Sequence, residues 1–161
     1  MRVLCLIGIL AFSHFPAHAQ DFADKVIVEK ANRILKLIKD DKVIASYHIA
    51  LGGNPIGHKE QEGDNKTPEG LYTLDFKKPD SAYYKAIHIS YPNAEDIKKA
   101  KKKGVSPGGA IMIHGQKNGY GAFASVTQQY DWTLGCIALT NSDMDAVWRS
   151  IKIPTPIEIK P

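Results

Sequence analysis

One cysteine and one histidine carry the chemistry that this sequence could perform. Cys136 directly follows Gly135, and His114 ends an apolar run at residues 110–113. A free thiol has a pKa of about 8.5 and is only a few per cent thiolate at neutral pH, so an imidazole in contact is needed to take its proton. The thiolate can then attack an amide carbonyl and form a thioester. The pair predicts acyl transfer, with Cys136 as nucleophile and His114 as base.

The neighbouring residues are candidates for supporting roles. Gly135 would allow close approach of a substrate, and backbone N–H groups near Cys136 could bind the developing oxyanion. Gly115 lets the backbone turn after the histidine. A third group should hold the His114 ring in the useful tautomer, and the candidates are the Thr133 hydroxyl and a backbone carbonyl near Gly115.

Structural interpretations of the same residues remain open at this point. A lone buried cysteine is usually a small hydrophobic residue, and a lone histidine is usually structural. A zinc site needs three or four ligands at short spacing, and residues 20–161 contain neither Cys-x-x-Cys nor His-x-x-x-His. We therefore expect no metal site.

The N-terminal residues have the features of a secretion signal. Met1-Arg2 supplies a positive charge, residues 3–12 are apolar but too short to span a bilayer, and Ala17-His18-Ala19 has the small-x-small form of a cleavage site. This predicts a signal peptide at residues 1–19 and a single mature domain at residues 20–161, periplasmic or secreted. The alternative is a buried N-terminal strand or helix.

Export changes how the cysteines are interpreted. Cys5 would leave with the signal, so Cys136 would be the only cysteine of the mature chain. Cysteines of exported proteins usually pair, because their surroundings are oxidising. An unpaired thiol is then either buried and inert or reactive.

Composition and charge fit one folded domain with an acidic partner. The 161 residues are 43% hydrophobic, which is enough for a core. A net charge of +4 suits an anionic polymer or surface, and export argues against nucleic acid. The lysine-rich residues 98–103 form either a solvated helix face or part of such a binding surface.

Short β-rich segments dominate the chain. Residues 33–39 and 42–50 flank Asp40-Asp41 and predict a hairpin. Residues 156–160 predict an edge strand, since prolines are tolerated there. Further strands are predicted at residues 25–29, 71–76, 85–91, 110–114 and 136–139.

Two segments are predicted to be helical. One is residues 94–103, between Asn93 and Gly104. The other begins near Thr140 or Asn141 and carries an apolar stripe, which consists of Met144, Val147, Trp148 and Ile151. Many short strands with few helices predict a mainly β domain, a sandwich or barrel-like sheet capped by helix.

Two connecting segments stand out. Residues 51–70 are polar and rich in glycine, yet Pro68 and Gly70 favour a defined turn over a floppy linker. Residues 115–130 are either a mobile cover over the cleft or an ordinary surface loop.

Two spaced elements resemble a known family. His114-Gly115, followed by Thr133-x-Gly135-Cys136-Ile137, is similar to the signature of the L,D-transpeptidase catalytic domain, the YkuD-type fold, in which His-Gly precedes Ser/Thr-x-Gly-Cys. The upstream Gly63-Asp64-x-x-Thr67-Pro68-Glu69-Gly70-x-Tyr72 resembles the second recurring element of that family. With residues 87–93 between them, the likeness covers residues 25–159.

The resemblance implies a fold, a reaction and a partner. It implies YkuD-like β-sandwich or barrel-like sheets with a few short helices, no cofactor, and an exported enzyme that acts on peptidoglycan stem peptides. Cys136 would be the nucleophile and His114 the base, with Thr133 beside the nucleophile and Gly135 shaping the oxyanion site. Separately from the resemblance, the short apolar run at residues 3–12 leads us to expect no integral membrane anchor.

One position departs from the family pattern. Ala138 stands where the family usually has an arginine, and the surrounding sequence is most similar to the YafK-like branch of the family. At least some members of that branch hydrolyse the link between a wall-anchored lipoprotein and the stem peptide. Resolution of the thioester by an amine or by water therefore stays open, and a wall-linked lipoprotein is a possible partner.

Two other functions fit the same sequence. One is a wall-binding module without catalysis that uses the lysine-rich residues 98–103, and the other is an exported effector that uses the fold on another substrate. Five residues are further candidates to line the substrate groove, namely Tyr72, His88, Tyr120, Trp132 and Asn141.

Overall fold

The computed structural model describes residues 22–161, which form one curled sheet with three helices. The predicted signal peptide at residues 1–19 lies outside the described residues. The strands are β1 Lys25–Glu29, β2 Ile34–Lys39, β3 Lys42–His48, β4 Gly70–Ser81, β5 Tyr84–Ile89, β6 Met112–His114, β7 Ile137–Ala138 and β8 Thr155–Lys160. The helices are α1 Ala94–Lys103, α2 Ala124–Thr127 and α3 Asn141–Ser150. The prediction of a mainly β fold is confirmed.

The strand order is β3-β2-β1-β8-β4-β5-β6-β7. Most neighbours are antiparallel, but β1 pairs with β8 and β6 pairs with β7 in parallel. Buried apolar side chains of the sheet and of α3 form one hydrophobic cluster. None of the helices formed by residues 22–161 has the length and apolar character needed to cross a membrane.

The predicted hairpin is present between β2 and β3. Lys39 pairs with Lys42, and the two residues between them, Asp40 and Asp41, have φ values of 48° and 59°. Aspartate tolerates this left-handed conformation better than most residues, and two such residues make the tight turn that matches strand twist.

The last strand was predicted from its proline to be an edge strand, and this prediction is wrong. β8 lies inside the sheet, between β1 and β4. Pro156 is tolerated because it is the second residue of β8 and precedes the first pair with β1, which joins Val26 to Ile157. The missing N–H of a proline therefore falls where the strand begins.

Both predicted helices form, and their ends have the expected caps. The Asn93 side chain accepts the N–H of Asp96, whose carboxylate accepts the N–H of Asn93, and Gly104 ends α1 with φ of 69°. Thr140 caps α3 by accepting the N–H of Asp143. The predicted stripe faces the core, since Met144, Val147 and Ile151 are buried and Trp148 packs against them.

The segment at residues 115–130 contains regular structure that the sequence did not predict. A 3-10 turn at Gly121–Phe123 leads directly into α2. Neither has a side-chain cap, and four helical residues are too few to show an apolar period. This is why pattern-based reasoning found only a loop there.

The glycine-rich connection before β4 is held by a buried lysine. Lys30, 2% exposed, donates from Nζ to the carbonyls of Gly57 (2.7 Å) and Thr67 (3.0 Å) and to Glu69 Oε1 (2.7 Å). A buried ammonium must have its donors satisfied, so these acceptors fix the path of the loop. The second half of this connection, which was predicted to be a defined turn, is thus held in one conformation.

We expect Lys30→Met to lower the free energy of unfolding by about 3 kcal/mol, because Glu69 and two carbonyls lose a buried charged partner. Lys42→Met, at an exposed position in β3, should change it by less than about 0.5 kcal/mol. Denaturant unfolding of both variants measures this. Equal effects of the two substitutions would contradict the assigned role of Lys30.

Candidate active site

The predicted cysteine and histidine line the same cleft. It has a volume of about 490 Å³ and lies against the face of the sheet formed by β4 to β7. The lining residues at the end that holds the candidate pair include Tyr83, Met112, His114, Trp132, Leu134 and Cys136.

Strand register explains how two residues distant in sequence meet. Ile113 of β6 pairs with Ile137 of β7, and His114 pairs with Ala138. Both isoleucines are fully buried in the core, so alternation places His114 and Cys136 on the opposite, cleft-facing side. The short parallel pairing of β6 with β7 therefore brings the imidazole and the thiol together.

The His114 ring is buried and its orientation is fixed. Its Nδ1 lies 2.6 Å from the carbonyl oxygen of Gly115, and the ring is flanked by Tyr83 (centroids 4.7 Å apart) and Trp132 (5.8 Å). Burial lowers the pKa of His114, although the Gly115 hydrogen bond opposes this. The ring is then neutral with the proton on Nδ1, which leaves the lone pair on Nε2 for accepting a proton. Of the two candidates for orienting the ring, the carbonyl of Gly115 does so.

Thr133 instead organises the turn that carries Cys136. Its hydroxyl accepts the N–H of Gly135 (3.1 Å) and donates to the carbonyl of Cys136 (2.7 Å). Its backbone bonds to Leu51 and Gly53 at the start of the glycine-rich loop. This one side chain therefore closes the turn in which Cys136 lies.

Gly135 allows two backbone segments to approach each other. Its φ is 130°, and a Cβ at this position would lie 2.6 Å from the carbonyl oxygen of Lys66. A Cβ on Gly52 would lie 2.1 Å from the carbonyl oxygen of Asn65. The space beside Gly135 is thus filled by the loop backbone, and the two sequence motifs form one packed unit.

The Cys136 thiol is mainly protonated in this environment. Burial raises the pKa of Cys136, and a backbone hydrogen bond with Met112 and the charge of Lys59 offset part of this effect. Sγ lies 3.7 Å from the carbonyl oxygen of Ala110. Within residues 22–161, no hydrogen bond joins Sγ to the imidazole of His114. Burial therefore favours the neutral thiol together with the neutral imidazole.

Two of the five groove candidates lie at the cleft or beside it. Trp132 lines the cleft, and its buried indole Nε1 has no hydrogen-bond partner. Asn141 does not line it, but its side-chain oxygen accepts the N–H of Gln116 (2.8 Å) and packs against Gly115. Asn141 thus holds the chain segment that follows the histidine.

The other three candidates lie outside the cleft. Tyr72 is buried and donates to Asp96 (2.9 Å), and burial raises its pKa so that it stays protonated. His88 bonds to Asp75 (2.7 Å), and its ring stacks on Phe76. Tyr120 is exposed beside the 3-10 turn. Among residues 22–161 there is also no cluster of three His, Cys, Asp or Glu side chains able to hold a metal ion.

Lys78 and Tyr83 are among the cleft residues that sequence reasoning missed. Both come from the β4–β5 hairpin, which extends well beyond the predicted strand at residues 71–76. Pro79-Asp80-Ser81 was a turn signal that could have placed the tip. The tip of this hairpin lies near His114 because β5 pairs with β6, and that pairing is visible only in the structure.

The raised thiol pKa predicts slow alkylation of Cys136 at low pH. Burial disfavours the anion, so the reactive thiolate fraction at pH 6 should lie below about 1% and increase about tenfold per pH unit toward the thiol pKa. Mass spectrometry of the Cys136 peptide after iodoacetamide treatment measures the rate. The urea-unfolded protein is the control and should react faster at pH 8. Rapid alkylation of the folded protein at pH 6 would instead indicate a preformed thiolate–imidazolium pair.

Removal of the Thr133 hydroxyl should loosen the turn that carries Cys136. Thr133→Val leaves the buried N–H of Gly135 without an acceptor, so we expect a loss of about 1–3 kcal/mol in the free energy of unfolding. Thr133→Ser retains the hydroxyl and should recover most of it. Denaturant unfolding compares the two, and equal stability of the valine and serine variants would exclude this role.

Known proteins resemble this chain over most of its length. Residues 23–159 match the YkuD family, the L,D-transpeptidase catalytic domain. A protein of Escherichia coli strain K12 named "Putative L,D-transpeptidase YafK" is 33% identical over 119 residues, which cover 73% of this chain and 41% of that protein. This chain thus spans less than half the length of that relative.

Solved structures show the same fold. The helical cell shape determining protein Pgp2 from Campylobacter jejuni superposes with a TM-score of 0.65 at 28% identity, covering 88% of this chain and 49% of that one. An L,D-transpeptidase from Xylanimonas cellulosilytica gives a TM-score of 0.56 at 15% identity over 91% of this chain and 64% of that chain, which is a likeness in fold alone. Because the family match extends over nearly all described residues, this chain belongs to the L,D-transpeptidase catalytic domain family.

Proposed function

We propose that this protein is an exported, cysteine-dependent acyl-transfer enzyme that acts on peptidoglycan stem peptides through a thioester on Cys136. The observation that carries the proposal is that Cys136 and His114 line one cleft, with the lone pair of the imidazole on Nε2. Membership of the L,D-transpeptidase family supports the substrate class. The predicted signal peptide supports export.

The first half of the reaction forms the thioester. As Sγ attacks the peptide carbonyl carbon, the thiol proton passes to Nε2 of His114, and the carbonyl oxygen becomes an oxyanion. The backbone N–H of Cys136 is the donor in this turn best suited to that oxyanion, because the N–H of Gly135 is bonded to Thr133. Collapse of the intermediate breaks the C–N bond, and the leaving amine takes the proton from His114.

The second half releases the acyl group. An amine or a water molecule gives a proton to His114 and attacks the thioester carbonyl, and Cys136 leaves and regains its proton. An amine acceptor makes the enzyme a transpeptidase, whereas water makes it a hydrolase that trims a stem peptide or releases a wall-linked lipoprotein. Both outcomes use the same two side chains.

Because the Cys136 thiol and the His114 imidazole are both neutral at rest, the thiol proton moves to the imidazole only during attack on the substrate. Burial raises the pKa of Cys136 and lowers that of His114, so an ion pair is disfavoured before substrate arrives. Proton transfer and attack on the carbonyl are then concerted, and His114 acts as a general base.

The proposal predicts that both site residues are required. Incubation of the purified protein with wall digests should yield new cross-links, trimmed stems or a released protein remnant, together with an acyl adduct on Cys136. Cys136→Ala should abolish these products, and His114→Gln should lower the rate by about 10²–10⁴-fold. Mass spectrometry of the digests and of the intact protein provides the measurement.

The matched control is His48→Gln, which makes the same change at an exposed position at the end of β3. It should retain the wild-type rate. Processing by Cys136→Ala at the wild-type rate would contradict the proposal. Salt-sensitive retention on isolated wall without turnover would favour a binding module.

A further inference from the structure

A single permanently charged side chain borders the cleft. Of the described residues that line it, Lys78 alone is a lysine, arginine, aspartate or glutamate. The surrounding lining is largely apolar or aromatic, and includes Ile111, Met112, Trp132 and Leu134. A lone cation beside such a surface favours a ligand that combines an uncharged part with one negative charge.

Lys78 and His114 lie in one row across the sheet. Lys78 pairs with Ala86, and Ala86 pairs with His114. Residues directly opposite one another project from the same face, and strands are about 4.8 Å apart, so the two Cα atoms are about 10 Å apart. The intervening Ala86 also lines the cleft, and its small side chain leaves space between the lysine and the imidazole.

The local shape of β4 explains why Lys78 faces the cleft. Its neighbour Lys77 pairs with Ile87 on the core side and donates to the carbonyls of Trp148 (2.6 Å) and Ile151 (2.7 Å) at the end of α3. Because adjacent strand residues alternate, this anchor turns Lys78 to the opposite side. Register shifts flank the two lysines, and such irregularities commonly redirect side chains beside active sites.

Lys78 is available to a ligand. Its side chain is 47% exposed, and its ion partner is Asp80 at 3.7 Å, which is 84% exposed. Water screens such a pair, so it contributes little and a carboxylate in the cleft can replace Asp80. At the other end of the row, Ala138 supplies no charge.

We propose that Lys78 binds a free carboxylate of the acyl donor and makes the cleft selective for peptides that carry one near the attacked carbonyl. The proposal rests on the acyl-transfer function above and names the recognition element of that site. An extended peptide advances about 3.3–3.6 Å per residue, and the lysine side chain covers part of the 10 Å. The carboxylate therefore lies one or two residues from the carbonyl that Cys136 attacks.

Two synthetic stem peptides that differ only in a free carboxylate or a carboxamide at that distance test the assignment. The wild-type protein should prefer the carboxylate by about 3- to 10-fold in kcat/KM, through KM and not kcat, and less so at high salt. Lys78→Met should lose this preference, and Lys78→Arg should keep most of it. Lys42→Met, which removes the same charge at the far edge strand β3, should behave as wild type.

The outcomes separate the two proposals. A carboxylate preference that survives in both Lys78→Met and Lys78→Gln overturns the assignment of Lys78 and leaves the acyl-transfer function intact. Absence of turnover of both peptides by the wild-type protein counts against the acyl-transfer function. In that case, the role of Lys78 is tested by equilibrium binding of both peptides to Cys136→Ala and to the double variant that also carries Lys78→Met. If the two proteins bind the carboxylate peptide with equal affinity, the assignment of Lys78 is overturned. A 3- to 10-fold loss of affinity in the double variant, confined to the carboxylate peptide, supports the assignment.

Discussion

The contact between Gly135 and the carbonyl of Lys66 is the constraint on which the geometry of the site depends. At this point the turn before Cys136 packs against the glycine-rich loop, with no room for a side chain between the two backbones. Thr133 closes the turn from within, and Lys30 holds the far side of the loop. The position of the cysteine is therefore set by backbone packing, which requires a glycine at position 135.

Burial gives the site its electrostatic character. A half-buried thiol and a buried imidazole keep their neutral forms, because neither charge is well solvated. The carbonyl of Gly115 then selects the tautomer in which Nε2 can accept a proton. Lys78 places its positive charge about two strands from the imidazole, where it can act on a ligand without ionising the resting pair.

Local signals predicted the elements whose causes are local. The caps Asn93 and Gly104 marked α1, and Asp40-Asp41 marked the first hairpin. β8 shows the limit of such signals, because a proline near the start of a strand is compatible with an interior position as well as an edge. The outer part of the β4–β5 hairpin was missed for a different reason, because register shifts interrupt the alternation of buried and exposed residues that marks a strand.

The sequence by itself determined the family and the mainly β character and singled out Cys136 and His114 as candidates, since short motifs and local patterns of residue type carry this information. The tertiary structure decided which residues share the cleft. It separated Trp132 from Tyr72, His88 and Tyr120, all of which had been candidates, and it added Lys78 and Tyr83. The physical reason is that membership of the cleft depends on pairing between β4, β5, β6 and β7, and such long-range register leaves no signal within any one segment of the chain.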